Sequence, residues 1–166
     1  MASRYGKMVL AVVLFLSLFT FPQVVRAPIP QGATGITYNP ATDIFFFVNG
    51  ATYVCEWDRA GRQLRCFEFP VIGFASGIAA DPQGSLYITD RGAEYNGTGQ
   101  SEVGKLLKFA PKGSGGYELV FTKDILSKLG IAPDDLTFDP ESGHLFISSE
   151  RGNKVFEVTS DQLAST

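Results

Sequence analysis

The sequence has 166 residues, 45% of them hydrophobic and 19% charged, with 14 basic against 17 acidic residues for a formal net charge of −3. Its apolar content is too high for a disordered chain, and the weakly acidic balance argues against nucleic acid as a partner. One domain is the natural count at this length, and the wealth of Gly, Pro and aromatic residues disfavours a helical bundle.

Residues 1–27 read as a secretory signal peptide. Arg4 and Lys7 precede a charge-free apolar run of twelve residues, Met8–Phe19, and Val25 and Ala27 supply the small-residue pattern of a cleavage site. The run is short for a membrane span, which needs about 20 apolar residues. Pro28 would follow the cut and resists the peptidase, which leaves two outcomes open: cleavage elsewhere, or retention as an uncleaved anchor. No Cys in the segment could carry a lipid. Without residues 1–27 the balance becomes 11 basic against 17 acidic residues, or −6, a soluble exported chain ill suited to anionic membranes or polynucleotides.

The remainder, 28–166, is organised by a repeat. GITYNPATDIFFFVNG at 35–50, GIAADPQGSLYITDRG at 77–92 and DLTFDPESGHLFISSERG at 135–152 share one plan. An aliphatic residue leads to Asn/Asp-Pro, a short turn, an apolar run, and then a polar residue and Gly. Asn39-Pro40, Asp81-Pro82 and Asp139-Pro140 start turns, because the side chain caps the turn and Pro presets φ. Ile44–Val48, Leu86–Ile88 and Leu145–Ile147 read as buried strands. Thr52–Trp57, Lys105–Phe109 and Lys154–Val158 supply third strands; Leu64–Phe69 and Tyr117–Thr122 supply a fourth twice. Four antiparallel strands recurring at about 40 residues describe the blade of a β-propeller. The expected architecture is therefore all-β, a partial β-propeller with blades near 33–71, 75–122 and 133–166. A β-sandwich or jelly roll would not need the turn repeated in register. Residues 93–104 read as a polar loop, and Lys123–Leu129 as a short helix stopped by Gly130. Only Asp161–Thr166 stand where the third blade's fourth strand would begin.

The two cysteines test the first hairpin. With Ala60-Gly61 as the tight turn, Trp57 faces Leu64, Glu56 faces Arg65, Cys55 faces Cys66 and Val54 faces Phe67, matching apolar with apolar and acid with base. A glycine-bulge turn would slip this register by one residue. In an oxidising compartment the in-register pairing predicts a Cys55–Cys66 disulfide; two reduced thiols are the alternative. A metal site lacks a second Cys pair and a nearby His.

Chemistry is sparse. His144, the only histidine, aligns with Asp43 and Ser85 as a turn-exit residue. There is no Gly-x-Ser-x-Gly elbow and no phosphate loop; Asn96-Gly97-Thr98 fits a glycosylation acceptor. Carboxylates are the enriched group. Asp81 and Asp139 are explained by turn capping, Asp90 and Glu150 partly so, and Glu94 lies in the polar loop. Asp134 and Asp135 have the weakest structural explanation and are the candidates for binding a ligand or Ca²⁺. Arg91 and Arg151, each before a Gly, could bind an anion or brace neighbouring blades.

The segments GIAADPQGSLYITDRG and DLTFDPESGHLFISSERGNKVFEV resemble blades of the bacterial SdiA-regulated and NHL-repeat propellers and, more loosely, the six-bladed gluconolactonase and strictosidine-synthase-like families. The resemblance spans residues 33–160 and implies an exported propeller that binds a protein, glycan or small molecule. The lactonase branch would imply a central divalent metal held by a blade-start Glu with Asn and Asp; the blade starts here are Thr34-Gly35, Ser76-Gly77 and Asp134-Asp135. A non-catalytic recognition module is thus the leading expectation. Alternatives are a metal-dependent lactonase or esterase-type hydrolase, or a truncated product without independent function. Three blades fall short of a closed ring, and self-association would close it.

Overall fold

Each Asn/Asp-Pro turn folds back onto its own side chain. In the computed structural model, which describes residues 32–50, 52–69, 72–91, 104–125, 133–149 and 153–164, Asn39 Oδ1 accepts the Ala41 amide at 2.9 Å. Asp81 Oδ1 accepts the Ser85 amide at 2.7 Å. Asp139 accepts the amides of Glu141 and Ser142 and, at 2.6 Å, the Ser142 hydroxyl. That hydroxyl is the largest cause holding the Asp139 carboxyl below its ordinary range. A side chain tied to the backbone this way sets the direction of the next strand.

The strands that follow form three antiparallel sheets in chain order. The first holds β1 (Gly35–Asn39), β2 (Ile44–Val48), β3 (Tyr53–Trp57) and β4 (Gln63–Glu68). The second holds β5 (Ala75–Ala80), β6 (Leu86–Asp90), β7 (Lys105–Pro111) and β8 (Tyr117–Asp124). The third holds β9 (Leu136–Asp139), β10 (His144–Ser149) and β11 (Lys154–Val158). The pairing repeats: Ile36, Ile78 and Leu136 oppose Phe47, Ile88 and Ile147. It also corrects one alignment. Asn39 opposes Ile44 and Asp139 opposes His144, so the structural counterpart of His144 in the first sheet is Ile44, not Asp43. Asp43 instead matches Gly143, and both adopt positive φ (56° and 73°) to close their turns. Asp tolerates this conformation better than most residues. The hydroxyl of Tyr38 and the guanidinium of Arg59 hold the Asp43 carboxylate.

The cysteine hairpin reaches the expected pairing by a different route. Its turn closes through Gly61, with φ of 76° and its amide on the Asp58 carbonyl, so Trp57 faces Gln63 rather than Leu64. That is the one-residue slip of a glycine bulge. A second irregularity between Glu56 and Trp57 leaves Leu64 unmatched and restores Glu56 opposite Arg65 and Cys55 opposite Cys66. Cys55 and Cys66 form a disulfide across the ladder. Closing a loop of this size stabilises by about 3 kcal/mol at most.

Two elements depart from expectation. The second sheet's last strand runs on through Asp124, because Lys105 continues the ladder by pairing with it, so Lys123 and Asp124 are strand rather than helix. Residues 126–132 lie outside the described residues, as do the signal segment and residues 92–103, which include all of the polar loop but Gly104. After β11 a short helix, α1 (Ser160–Ala164), stands where a fourth strand was expected to start. Thr159 and Gln162 form its capping box: the Gln162 amide donates to Thr159 Oγ1 and the Thr159 amide to Gln162 Oε1. Lys123 Nζ donates to the carbonyls of Gln162 and Leu163 at the other end.

The core is divided between the sheets. One apolar layer joins Phe46, Val48, Val54 and Phe69 of the first sheet and its trailing residue to Ile78, Leu86, Ile88, Leu107 and Phe109 of the second. The Phe69 and Phe109 rings lie 4.1 Å apart, and Tyr117 packs edge-on against Phe67 at 5.2 Å. The other joins Ala79, Tyr87 and Leu106 to Leu136, Leu145, Ile147 and Val158 of the third. Two glycines let the first strands come this close. A Cβ on Gly35 would lie 3.0 Å from the Gly77 Cα, and one on Gly77 would lie 2.6 Å from the Asp135 Cα. Backbone cannot yield there as a flexible side chain would. Gly77→Ala is therefore expected to cost about 3 kcal/mol and Gly35→Ala about 1–2 kcal/mol, read from urea-unfolding midpoints; equal, negligible losses would refute the close approach.

Candidate functional site

The sequence candidates gather where the end of β6 meets the residues leading into β9. Asp90 closes β6, and its carboxylate accepts the amides of Gly73 (3.1 Å) and Phe74 (2.7 Å) in the segment entering β5. Arg91 follows it. Its Nε donates to the Pro133 carbonyl at 2.7 Å, and its guanidinium pairs with the Asp134 carboxylate. Ser76 Oγ donates to the same Pro133 carbonyl at 3.0 Å and lies 3.0 Å from Thr89 Oγ1. Both Arg91 and Asp90 are buried. The result is a polar seam tying the second sheet to the third.

Thr34 repeats one of these contacts in the first sheet. Its hydroxyl donates to the Ala75 carbonyl at 2.8 Å, as Ser76 does to Pro133 one sheet later. Sequence reasoning noticed Thr34-Gly35 and Ser76-Gly77 as blade starts without seeing this role. The signal was present: a hydroxyl residue before a close-approach glycine, twice.

Asp134 and Asp135 are adjacent in sequence and differ in surroundings. Asp134 belongs to the Arg91 pair. Asp135 Oδ1 accepts the Leu136 amide at 2.9 Å, and its own amide donates to Ser148 Oγ at 3.1 Å. Desolvation by the packed backbone raises the Asp135 carboxyl above its ordinary range, partly offset by the Leu136 amide. Beside it lies a shallow groove of about 210 Å³ lined by Asp135, Leu136, Thr137, Phe146, Ser148 and Val155. Among the described residues no group of three His, Cys, Asp or Glu side chains is placed to hold a metal ion. Glu150 and Arg151 lie outside the described residues, as do Glu94 and the Asn96 acceptor.

His144 Nδ1 sits 2.7 Å from Glu157 at the surface of the third sheet. A second charged group, Glu56, is buried and held by Arg65 through Nε (2.6 Å) and Nη2 (3.1 Å). Arg65 also lies over the Phe67 ring at 4.6 Å. Nearby Tyr117 has its phenol pushed up to about 12, first by burial and then by the Glu56 charge. Glu56 and Arg65 tie β3 to β4, and the neighbouring Phe67 packs against Tyr117 of the second sheet at 5.2 Å.

Comparison with solved structures decides the architecture. The chain is similar to a protein assigned as a 6-phosphogluconolactonase from Bacteroides uniformis, at TM-score 0.59 and 15% identity, covering 84% of this chain and 39% of that one. It is similar to hydrazine synthase from Kuenenia stuttgartiensis, at 0.55 and 13%, covering 84% and 36%. It is also similar to virginiamycin B lyase from Staphylococcus aureus, at 0.51 and 18%, covering 81% and 41%. The fold is a β-propeller arc. At such identities the likeness concerns fold alone, and the chain spans about two fifths of the length of these proteins. No family model and no curated protein matches the sequence.

The three sheets are thus three blades, and Asp135 sits at the inner strand of the third. Its raised carboxyl has a definite pH signature. The folded state holds the proton more tightly than the unfolded chain, so this group favours folding at low pH. That contribution is lost as pH rises from the ordinary carboxylate range through the raised folded value. Asp135→Asn keeps the acceptor for Leu136 and should raise Tm at neutral pH but not below the carboxylate range. A Tm gain independent of pH would contradict this account.

Proposed function

We propose that this chain is an exported, non-catalytic propeller module of the SdiA-regulated and NHL-repeat kind, which recognises a protein, glycan or small molecule through its loops. The single observation carrying the reading is that the described polar groups near the blade junctions are engaged in structural contacts within and between blades. Asp90 caps the entry to β5, Arg91 bridges to Pro133 and Asp134, and Asp81 and Asp139 cap their turns. Residues committed to such contacts are poor candidates for reacting with a substrate. Export is supported by the Cys55–Cys66 disulfide, which persists in oxidising compartments. Among the described residues no helix is long and apolar enough to cross a membrane.

The rival reading is a Ca²⁺-dependent hydrolase using Asp134 and Asp135. Thermal melts in CaCl₂ and in EDTA are expected to coincide, and a panel of sugar lactones is expected to show no turnover in either. A calcium-dependent rise in Tm together with EDTA-sensitive hydrolysis would overturn the non-catalytic reading. Export is tested separately by N-terminal sequencing of the protein recovered outside the cytoplasm. A new N-terminus near Pro28 is expected, and full-length protein confined to the cytosol would refute it.

A further inference from the structure

Ile36 and Val155 stand at opposite ends of the arc, and each is exposed where its counterparts are buried. Ile36 is 56% exposed, whereas Ile78 and Leu136, at the same place in the second and third blades, are 1% and 6% exposed. Val155 is 68% exposed, whereas Val54 and Leu106 are both 0%. The register fixes these equivalences: Val155 opposes Ser148 as Leu106 opposes Thr89 and Val54 opposes Val48. The burial is also directional. Ile78 and Val54 enter one apolar layer together, from the second and first blades. Leu136 and Leu106 enter the other, from the third and second. Ile36 and Val155 therefore occupy, at the two ends of the described arc, the two positions that meet across each seam within it.

The surroundings of both residues are built for such a seam. Around Ile36 lie Tyr38, Phe45, Phe47 and Trp57, with Phe45 against Tyr38 at 4.8 Å and Phe47 against Trp57 at 5.9 Å. Trp57 occupies the place of Phe109 and Val158, which enter the two existing layers. Its buried indole N–H has no acceptor among the described residues. Around Val155 lie Thr137, Phe146 and Ser148, which line the shallow groove. Phe146 matches Phe46 and Tyr87, both buried in a seam.

We propose that a second copy of this chain packs head to tail on the first, with the Ile36 face of each copy against the Val155 face of the other, to close a six-bladed ring. A foreign partner would need both face types in the right relation; a second copy carries both. Head-to-tail contacts close when the rotation brings the last face onto the first, and two three-blade arcs give a count within the range of about four to eight blades that propellers use. The inner strand adds a distinguishing detail. Blades followed by another blade within the chain carry Gly35 or Gly77, while the third carries Asp135. The seam between copies is accordingly wider at its inner end than the two seams within a chain. The proposal is independent of what the module recognises.

The test is the solution mass of the full chain by size-exclusion chromatography with light scattering. Wild type is expected at twice the monomer mass. Ile36→Glu alone and Val155→Lys alone are each expected to give monomers with wild-type Tm extrapolated to the dilute, dissociated protein, since both residues are exposed in the single copy. Mixing the two variants should restore the dimer, because one seam is then wild type and the other pairs a carboxylate with an ammonium. Asp135→Gly should dissociate at lower concentration than wild type by about tenfold or more. A wild-type monomer at every concentration, a mass that grows without limit, or a dimer untouched by both single variants would each overturn the proposal.

Discussion

The close approach of β1, β5 and β9 governs the rest of the molecule. Strands brought this near cannot carry side chains between them, which is why Gly35 and Gly77 stand at the contacts, with the Gly77 Cα 3.0 Å from where a Cβ on Gly35 would be. Once the inner strands converge, the sheets behind them must splay apart, and the space between them fills with the larger residues of the middle strands. Phe46, Leu86 and Phe109 belong to one filling, and Tyr87, Leu145 and Ile147 to the other. Stability in this design comes from seams between sheets rather than from a single enclosed core.

Polar chemistry follows the same geometry. Near the inner strands the backbones of adjacent blades present carbonyls and amides that their own ladders do not satisfy. Thr34, Ser76, Asp90 and Arg91 supply the missing partners. Farther out, Glu56 could not remain buried and charged without the two-pronged contact from Arg65, since an isolated buried charge is costly. Of the charged residues that look most functional in the sequence, Arg91 and Asp134 join the second blade to the third.

The turn residues were the most legible part of the chain, because Asn39, Asp81 and Asp139 act through contacts to residues two to four positions away. The Cys55–Cys66 pairing was legible as well, from the chemistry of its neighbours. Its path was not: the glycine turn shifts the register and a bulge at Leu64 shifts it back, and two compensating irregularities leave the flanking pattern unchanged. The extension of β8 into Lys123 and Asp124 was missed because their helical pattern is local, whereas the Lys105 partner that overrides it is remote. The helix at Ser160–Ala164 had a readable capping box in Thr159 and Gln162, obscured by the expectation of a fourth strand.

What the sequence by itself determined is the repeat: the turn, the strand order, the alternation that gives each blade two faces, and the cross-strand disulfide. These are set by interactions within a hairpin and are readable from neighbouring residues. Which aspartate would be engaged and which would border a groove was decided only by the tertiary structure. Asp134 and Asp135 are chemically identical and adjacent, yet one meets Arg91 from a different blade and the other is crowded by the backbone of β5. The fates of Ile36 and Val155 were decided in the same way, because burial at a seam depends on whether another sheet stands opposite, and no residue carries that information alone.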